Sequence, residues 1–301
     1  MQKIIIYICS LLVLGSCAGG RNFDATAFSE VVYQPKHAEG FDIRYCESSG
    51  ATLISVRNPW QGADGVEQRL LIDPRGVYRG LSQDGIQRIE REARRVICMS
   101  SSYVAMLSQM GCEQMLVGVS GADFISNEWV LSNRDKVGDV GYDGNTNYEL
   151  LLSLEPDIVL LYGISASNNI ENKLRELKIP YAYIGEYVES SPLGKAEWMV
   201  ALGEIVGCRE RAEEEFSKIE QKYSEVRSLI GERVGEKRPM VMLNTPYRDA
   251  WVIPAQKSYM VRLIEDAGGK THTIDSQSNS SQPIDLEQAL VYAHNSDMWL
   301  N

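Results

Sequence analysis

Three histidines, His37, His272 and His294, are spread over 301 residues. They are too few and too scattered for a multi-histidine cage around bare zinc or manganese, so no metal ligands are assigned. Positive charge is also short. Thirty Lys and Arg against 41 Asp and Glu leave a formal net charge of −11, which argues against binding nucleic acid through its phosphates. No G-x-G-x-x-G or phosphate-loop lysine motif occurs. In Gly118-Val119-Ser120-Gly121 the second glycine comes one residue too early for a G-x-S-x-G nucleophile turn. Asp139–Gly144 partly imitates a calcium loop, but Gly141 and Leu150 occupy positions that need oxygen ligands. No nucleophile, base and oxyanion donor assemble, so the chain reads as a non-enzyme with no catalytic residue and no cofactor. What is present, 44% hydrophobic and 24% charged residues, suits a globular protein of one large or two medium domains.

Long apolar runs are missing too. The longest at the start, Ile4–Val13 behind the positive Lys3, is shorter than the ~20 residues a membrane span requires. It ends in Leu14-Gly15-Ser16-Cys17, which resembles a bacterial lipobox. That resemblance implies removal of residues 1–16, lipidation of Cys17 and a periplasmic or cell-envelope location on a lipid anchor. Cys9 leaves with such a leader. Cys46, Cys98, Cys112 and Cys208 remain, without a CxxC pair and with three pairings open, so no disulfide is assigned. Cys98 and Cys112 read as small buried apolar residues.

Residues 17–40 read as a tether with Gly19-Gly20 and no sustained period. Residues 41–93 form a small antiparallel β extension: Phe41–Tyr45 alternates, Thr52–Val56 comes next, and Arg69–Ile72 lies beyond a turn region at Gly62 and Asp64-Gly65. Trp60 reads as a packing residue. An N-terminal α/β lobe spans 94–190, with strands at Arg95–Met99, Met115–Val119, Lys136–Gly138, Pro156–Leu161 and Tyr181–Ile184. Helices alternate with them at Tyr103–Met110, Tyr148–Leu154 and Asn169–Leu177, which implies a parallel sheet covered on both faces.

Linking helices occupy 191–232. Ser191 and Pro192 suit a helix start, and Gly207 divides the stretch into Pro192–Val206 and Arg209–Ile230. The second helix carries Phe216, Ile219, Tyr223, Val226 and Ile230 at helical spacing and reads as a strut on the order of 30 Å long. A C-terminal α/β lobe, 233–301, has strands at Met240–Leu243, Ala250–Ile253 and Asp297–Leu300, and helices at Ser258–Ala267 and Asp285–Ala293.

The lobes echo each other. Ser102-Tyr103 to Gly111 aligns with Ser258-Tyr259 to Gly268. Glu149–Leu152 leading to Asp157–Leu160 aligns with Glu287–Leu290 leading to Asp297–Leu300. The fold class is therefore α/β, two Rossmann-like lobes joined by one long helix, with a small N-terminal β addition.

The order and spacing of Arg95–Ser100, Leu116–Val119, Lys136–Asp139, Asn147-Tyr148-Glu149, Leu154–Val159 and Ile284–Glu287 resemble the periplasmic substrate-binding proteins of importers for vitamin B12, haem and iron–siderophore complexes. The resemblance runs from about Arg94 to Asn301. It implies a metal-chelate or corrinoid ligand held in a cleft between the lobes, and delivery to an ABC permease and its ATPase. It also implies that one glutamate per lobe, here Glu149 and Glu287, meets the permease. Family members usually continue past the strand matching Asp297–Leu300, so a truncated second lobe with open strand surface is expected.

Ligands of open α/β sheets sit outside the carboxyl ends of the strands. That rule nominates Ser100, Ser101, Ser102 and Tyr103 after the first strand, with backbone N–H groups at Ser101 or Ser102 for an anionic ligand group. Gly121, Asp123 and Phe124 come after the second strand, Gly141 and Tyr142 after the third, and Tyr162 after the fourth. Tyr247, Trp251, Ser258 and Tyr259 face them from the other lobe, and Trp129 and Arg134 rim the cleft. Aromatic rings offer rigid area to a bulky complex. An envelope α/β enzyme and a structural lipoprotein are the alternatives.

Overall fold

A computed structural model describes residues 23–81, 83–163, 168–235, 237–247, 250–276 and 280–301; Cys17 and the leader lie outside them. No helix among the described residues is long and apolar enough to cross a membrane.

The first sheet runs β1 (Glu30–Tyr33), β2 (Phe41–Cys46), β3 (Ala51–Arg57), β4 (Glu67–Ile72), β5 (Ile86–Ile89), in that spatial order. Its side chains alternate between two cores, as the two-residue strand period requires. Phe41, Ile43, Ile54, Val56, Leu70 and Ile72 join the main core, while Cys46, Ala51, Leu53 and Leu71 pack under Phe28 and Tyr78. Two expectations change here. The supposed tether is folded from Phe23 onward, because β1 pairs with β2. The sheet is also mixed, since β5 lies parallel to β4. Buried Asp73 holds that crossover: its carboxylate accepts from the N–H groups of Val77 (3.0 Å) and Tyr78 (2.8 Å) and from Arg88 Nε (2.8 Å).

The N-terminal lobe is a five-stranded parallel sheet of β6 (Val96–Cys98), β7 (Leu116–Val119), β8 (Gly138–Asp139), β9 (Ile158–Tyr162) and β10 (Tyr181–Ile184). The spatial order β8-β7-β6-β9-β10 is doubly wound, with its switch point between β6 and β9. The intervening helices are α1 (Ser101–Gln109), α2 (Glu128–Ser132), α3 (Tyr148–Ser153) and α4 (Asn168–Leu177).

Helix α5 (Pro192–Ile205) starts where Ser191 Oγ accepts from Gly194 N at 2.9 Å. It is buried nearly all round, Trp198 included, and two acidic groups, one within it and one just before it, grip the chain entering β2. Glu197, wholly buried, accepts from Tyr33 Oη (2.8 Å) and from the N–H groups of Lys36 (2.8 Å), His37 (2.7 Å) and Ala38 (2.7 Å). Glu189 accepts from Glu39 N, Gly40 N and Trp198 Nε1.

Helix α6 (Arg209–Arg233) is 25 residues long, or about 38 Å at the usual helical rise. Only Ala212 and Phe216 are buried in it, and Val226, assigned to its apolar stripe, is 46% exposed. It behaves as a strut. Its first half packs along α5, and farther on Tyr223 Oη donates to Asp266 of the second lobe at 2.9 Å while Arg227 pairs with the same carboxylate at 3.1 Å.

The C-terminal lobe holds β11 (Met240–Leu243), β12 (Pro246–Tyr247), β13 (Ala250–Ile253), α7 (Tyr259–Asp266), β14 (Lys270–Thr271), β15 (Gln282–Ile284), α8 (Leu286–His294) and β16 (Met298–Leu300). Strands β14-β11-β16 are parallel and repeat β7-β6-β9; β13 belongs instead to a small antiparallel sheet with β12 and β15. The repeat extends to side chains. Asp157 accepts from Arg94 N and Arg95 N before β6, and Asp297 accepts from Met240 N at the start of β11. Met298, Trp299 and Leu300 of β16 are all more than half exposed, as are Leu290 and Val291 of α8.

Candidate functional site

The carboxyl ends of β6 to β10 point to one side of the N-terminal lobe, and the turn beyond each strand decides which groups a ligand meets. After β6, Ser100 caps α1, its hydroxyl accepting from Ser102 N at 3.2 Å. That bond occupies the Ser102 N–H and leaves exposed Ser101 as the forward residue of this turn. Tyr103 is different. It is wholly buried, and its hydroxyl lies 3.0 Å from the Ile184 carbonyl and 3.2 Å from that of Leu161, to which it donates. Burial pushes its hydroxyl well above the ordinary tyrosine range. Tyr103 is therefore a core residue that joins α1 to β9 and β10, contrary to its nomination as a ligand contact.

After β7 and β8 two loops are tied together by one carboxylate. Asp139 accepts from the N–H groups of Gly121, Ala122 and Gly141, each at 3.0 Å. Gly121 has φ of +64° and sits so close to Phe124 that an added Cβ would meet its ring at 2.9 Å; alanine fits neither constraint. Arg134 fastens the loop from outside, pairing with Asp123 and donating to the Ala122 carbonyl, both at 3.2 Å. This framework presents Phe124, 76% exposed, edge-on to Tyr142, 51% exposed, with ring centroids 5.7 Å apart. Trp129 is half-buried and leans on the core. Tyr162, at the end of β9, is half-buried against the same core.

The fifth strand supplies residues that were not nominated. The turn Gly185–Val188 after β10 carries Glu186 and Tyr187. Glu186 is buried and its carboxyl is held above the ordinary range by desolvation, which Lys195 of α5, 3.6 Å away, partly offsets. The Lys195 ammonium also sits 4.9 Å from the ring centre of Tyr259, on the first turn of α7, and 5.7 Å from that of Tyr187. Tyr259 is thus brought to the N-terminal lobe by a cation–π contact across the lobe boundary. Extending the carboxyl-end rule one strand further would have named Glu186 and Tyr187.

Across the boundary the other nominations divide. Ser258 is the buried cap of α7, accepting from Val261 N. Trp251 is 8% exposed, donates to the Leu243 carbonyl at 2.7 Å and packs against Trp299, so it is core and not ligand surface. Tyr247 ends β12, and its side chain lies outside what the structure describes. Glu149 and Glu287 are both exposed in the first turns of α3 and α8, each close behind a capping residue, Asn147 and Asp285.

A family model described as "Periplasmic binding protein" matches residues 96–300. An uncharacterised lipoprotein of Methanocaldococcus jannaschii is 23% identical over 88% of this chain and 68% of its own. An uncharacterised ABC transporter substrate-binding lipoprotein of Bacillus subtilis is 26% identical over 54% of this chain and 49% of its own. This chain thus spans about half to two thirds of those relatives. Among solved structures, a periplasmic vitamin B12 binding protein of Vibrio cholerae aligns with a TM-score of 0.51 at 18% identity, over 66% of this chain and 73% of that one. A periplasmic heme binding protein from Pseudomonas aeruginosa aligns with a TM-score of 0.54 at 18% identity, over 66% of this chain and 69% of that one.

Proposed function

This chain belongs to the periplasmic binding protein family, and from that premise we propose that it captures an iron complex (siderophore or haem) or a corrinoid such as vitamin B12 between its lobes and hands it to an ABC permease. The observation that carries this reading is the pair of exposed rings, Phe124 and Tyr142, on loops pinned by Asp139 at the carboxyl edge of the sheet. Large apolar side chains held rigidly in water are unusual unless they meet a partner, and flat rings suit a bulky, partly apolar chelate. Exposed Ser101 and the Glu186–Lys195 pair supply polar contacts beside the Tyr259 ring. Lipidation at Cys17 holds the protein to the envelope membrane, in keeping with relatives described as lipoproteins.

The double substitution Phe124→Ala with Tyr142→Ala removes both rings without touching the core. We expect affinity for the bound chelate to fall at least about 10-fold, each anchoring ring contributing about 1 kcal/mol. Calorimetric titration of variant and parent measures it; equal affinities would place the ligand elsewhere.

A further inference from the structure

Cys112 and Cys208, 96 residues apart in sequence, meet with their sulfur atoms 2.8 Å apart. Even carbon atoms, smaller than sulfur, rest about 3.5–4.0 Å apart when they merely pack. A disulfide bond is ~2.05 Å long, so bond formation needs a sulfur movement of less than an ångström or so. Both backbones are fixed at helix ends that bring the side chains together. Cys112 N donates to the Leu107 carbonyl at 2.8 Å just after left-handed Gly111, and Cys208 N donates to the Gly203 carbonyl at 2.7 Å just after left-handed Gly207. Arg211 of α6 donates to the Met110 carbonyl at 2.8 Å and holds the two ends in register. The remaining cysteines lie apart. Cys98 is wholly buried in β6, and Cys46 belongs to the separate small core, with its sulfur 3.2 Å from Ser48 Oγ.

We propose that Cys112 and Cys208 are joined by a disulfide in the mature protein, fastening the end of α1 to the start of the strut α6. Relatives described as lipoproteins support an envelope location, where disulfides persist. The oxidant is the disulfide of a thiol–disulfide exchange catalyst. Cys208, the more accessible of the two, attacks it and forms a mixed disulfide; Cys112 then attacks the Cys208 sulfur and releases the catalyst as a dithiol. One S–S bond forms in the protein and one breaks in the catalyst, which carries away both electrons and both protons.

The test is thiol counting by mass. The chain from Ala18 onward, exported through a cleavable leader and denatured in iodoacetamide without reductant, contains four cysteines. We expect two alkylated residues in this protein, mapped to Cys46 and Cys98, and, because Cys112 is freed, alkylation of all three remaining cysteines in Cys208→Ser. Four alkylated cysteines in the parent would mean a thiol pair in hydrogen-bond contact only. A single alkylated cysteine in Cys208→Ser would mean that the bond joins two of Cys46, Cys98 and Cys112 and leaves Cys208 out. Either result overturns the assignment.

Discussion

Glu197→Ala is expected to lower folding stability by about 2–5 kcal/mol, because it opens a cavity and strands buried donors. The carboxylate is wholly buried and takes four hydrogen bonds, three from successive backbone N–H groups of Lys36, His37 and Ala38 and one from Tyr33 Oη. Alanine leaves those donors facing a cavity, at about 1–3 kcal/mol for each that water cannot reach. Lys36 and His37 recover part of this by relaxing toward solvent; buried Ala38 does not. Glu220→Ala is the comparison. Glu220 pairs with Lys36 and His37 in the same segment, but at the surface of α6, and exposed pairs contribute at most about 1 kcal/mol. Guanidinium unfolding at constant slope measures both variants. A Glu197→Ala loss no larger than that of Glu220→Ala would show that the segment before β2 is not held by this carboxylate.

Reversing both Glu149 and Glu287 to lysine is expected to abolish uptake while leaving ligand affinity within about twofold. Each carboxylate is exposed in the first turn of a helix, and α3 and α8 occupy corresponding places in the two lobes. Two separated charges fix orientation as one cannot, and a docking surface complementary to two carboxylates would repel two lysines, at a cost of several kcal/mol. The cost to the fold is small, since a misplaced charge at a helix start amounts to about 0.3–1 kcal/mol. Uptake by cells carrying the matching permease, set beside calorimetry of the purified variant, separates transport from binding. Unimpaired uptake would remove these residues from docking; parallel loss of affinity and uptake would place them at the ligand.

Much of this architecture is legible in the sequence because its signals are local. Ser191-Pro192 announces α5, Ser258 and Asp285 announce α7 and α8, and Gly111, Gly207 and Gly268 turn the chain left-handed at or near helix ends. What escaped depends on partners far away. The segment before Gly40 looks like linker text, and it is ordered by a glutamate about 160 positions later. Strand β5 is short and half-polar, and its parallel pairing rests on the buried Asp73–Arg88 contact. Site residues were harder than strands for a related reason. Position after a strand places Tyr103, Phe124 and Trp251 equally well at a carboxyl edge, but only packing decides which way a ring turns. Phe124 turns outward; Tyr103 and Trp251 turn into cores.

The most direct measurement is a fluorescence-quenching titration of the soluble chain, made without Cys17, against haem, ferric siderophores, cobalamin, Zn²⁺ and Mn²⁺. Saturable quenching by one of the chelated complexes and none by the bare ions is the result expected of a chelate-binding protein. Binding of free Zn²⁺ or Mn²⁺ alone would contradict that reading.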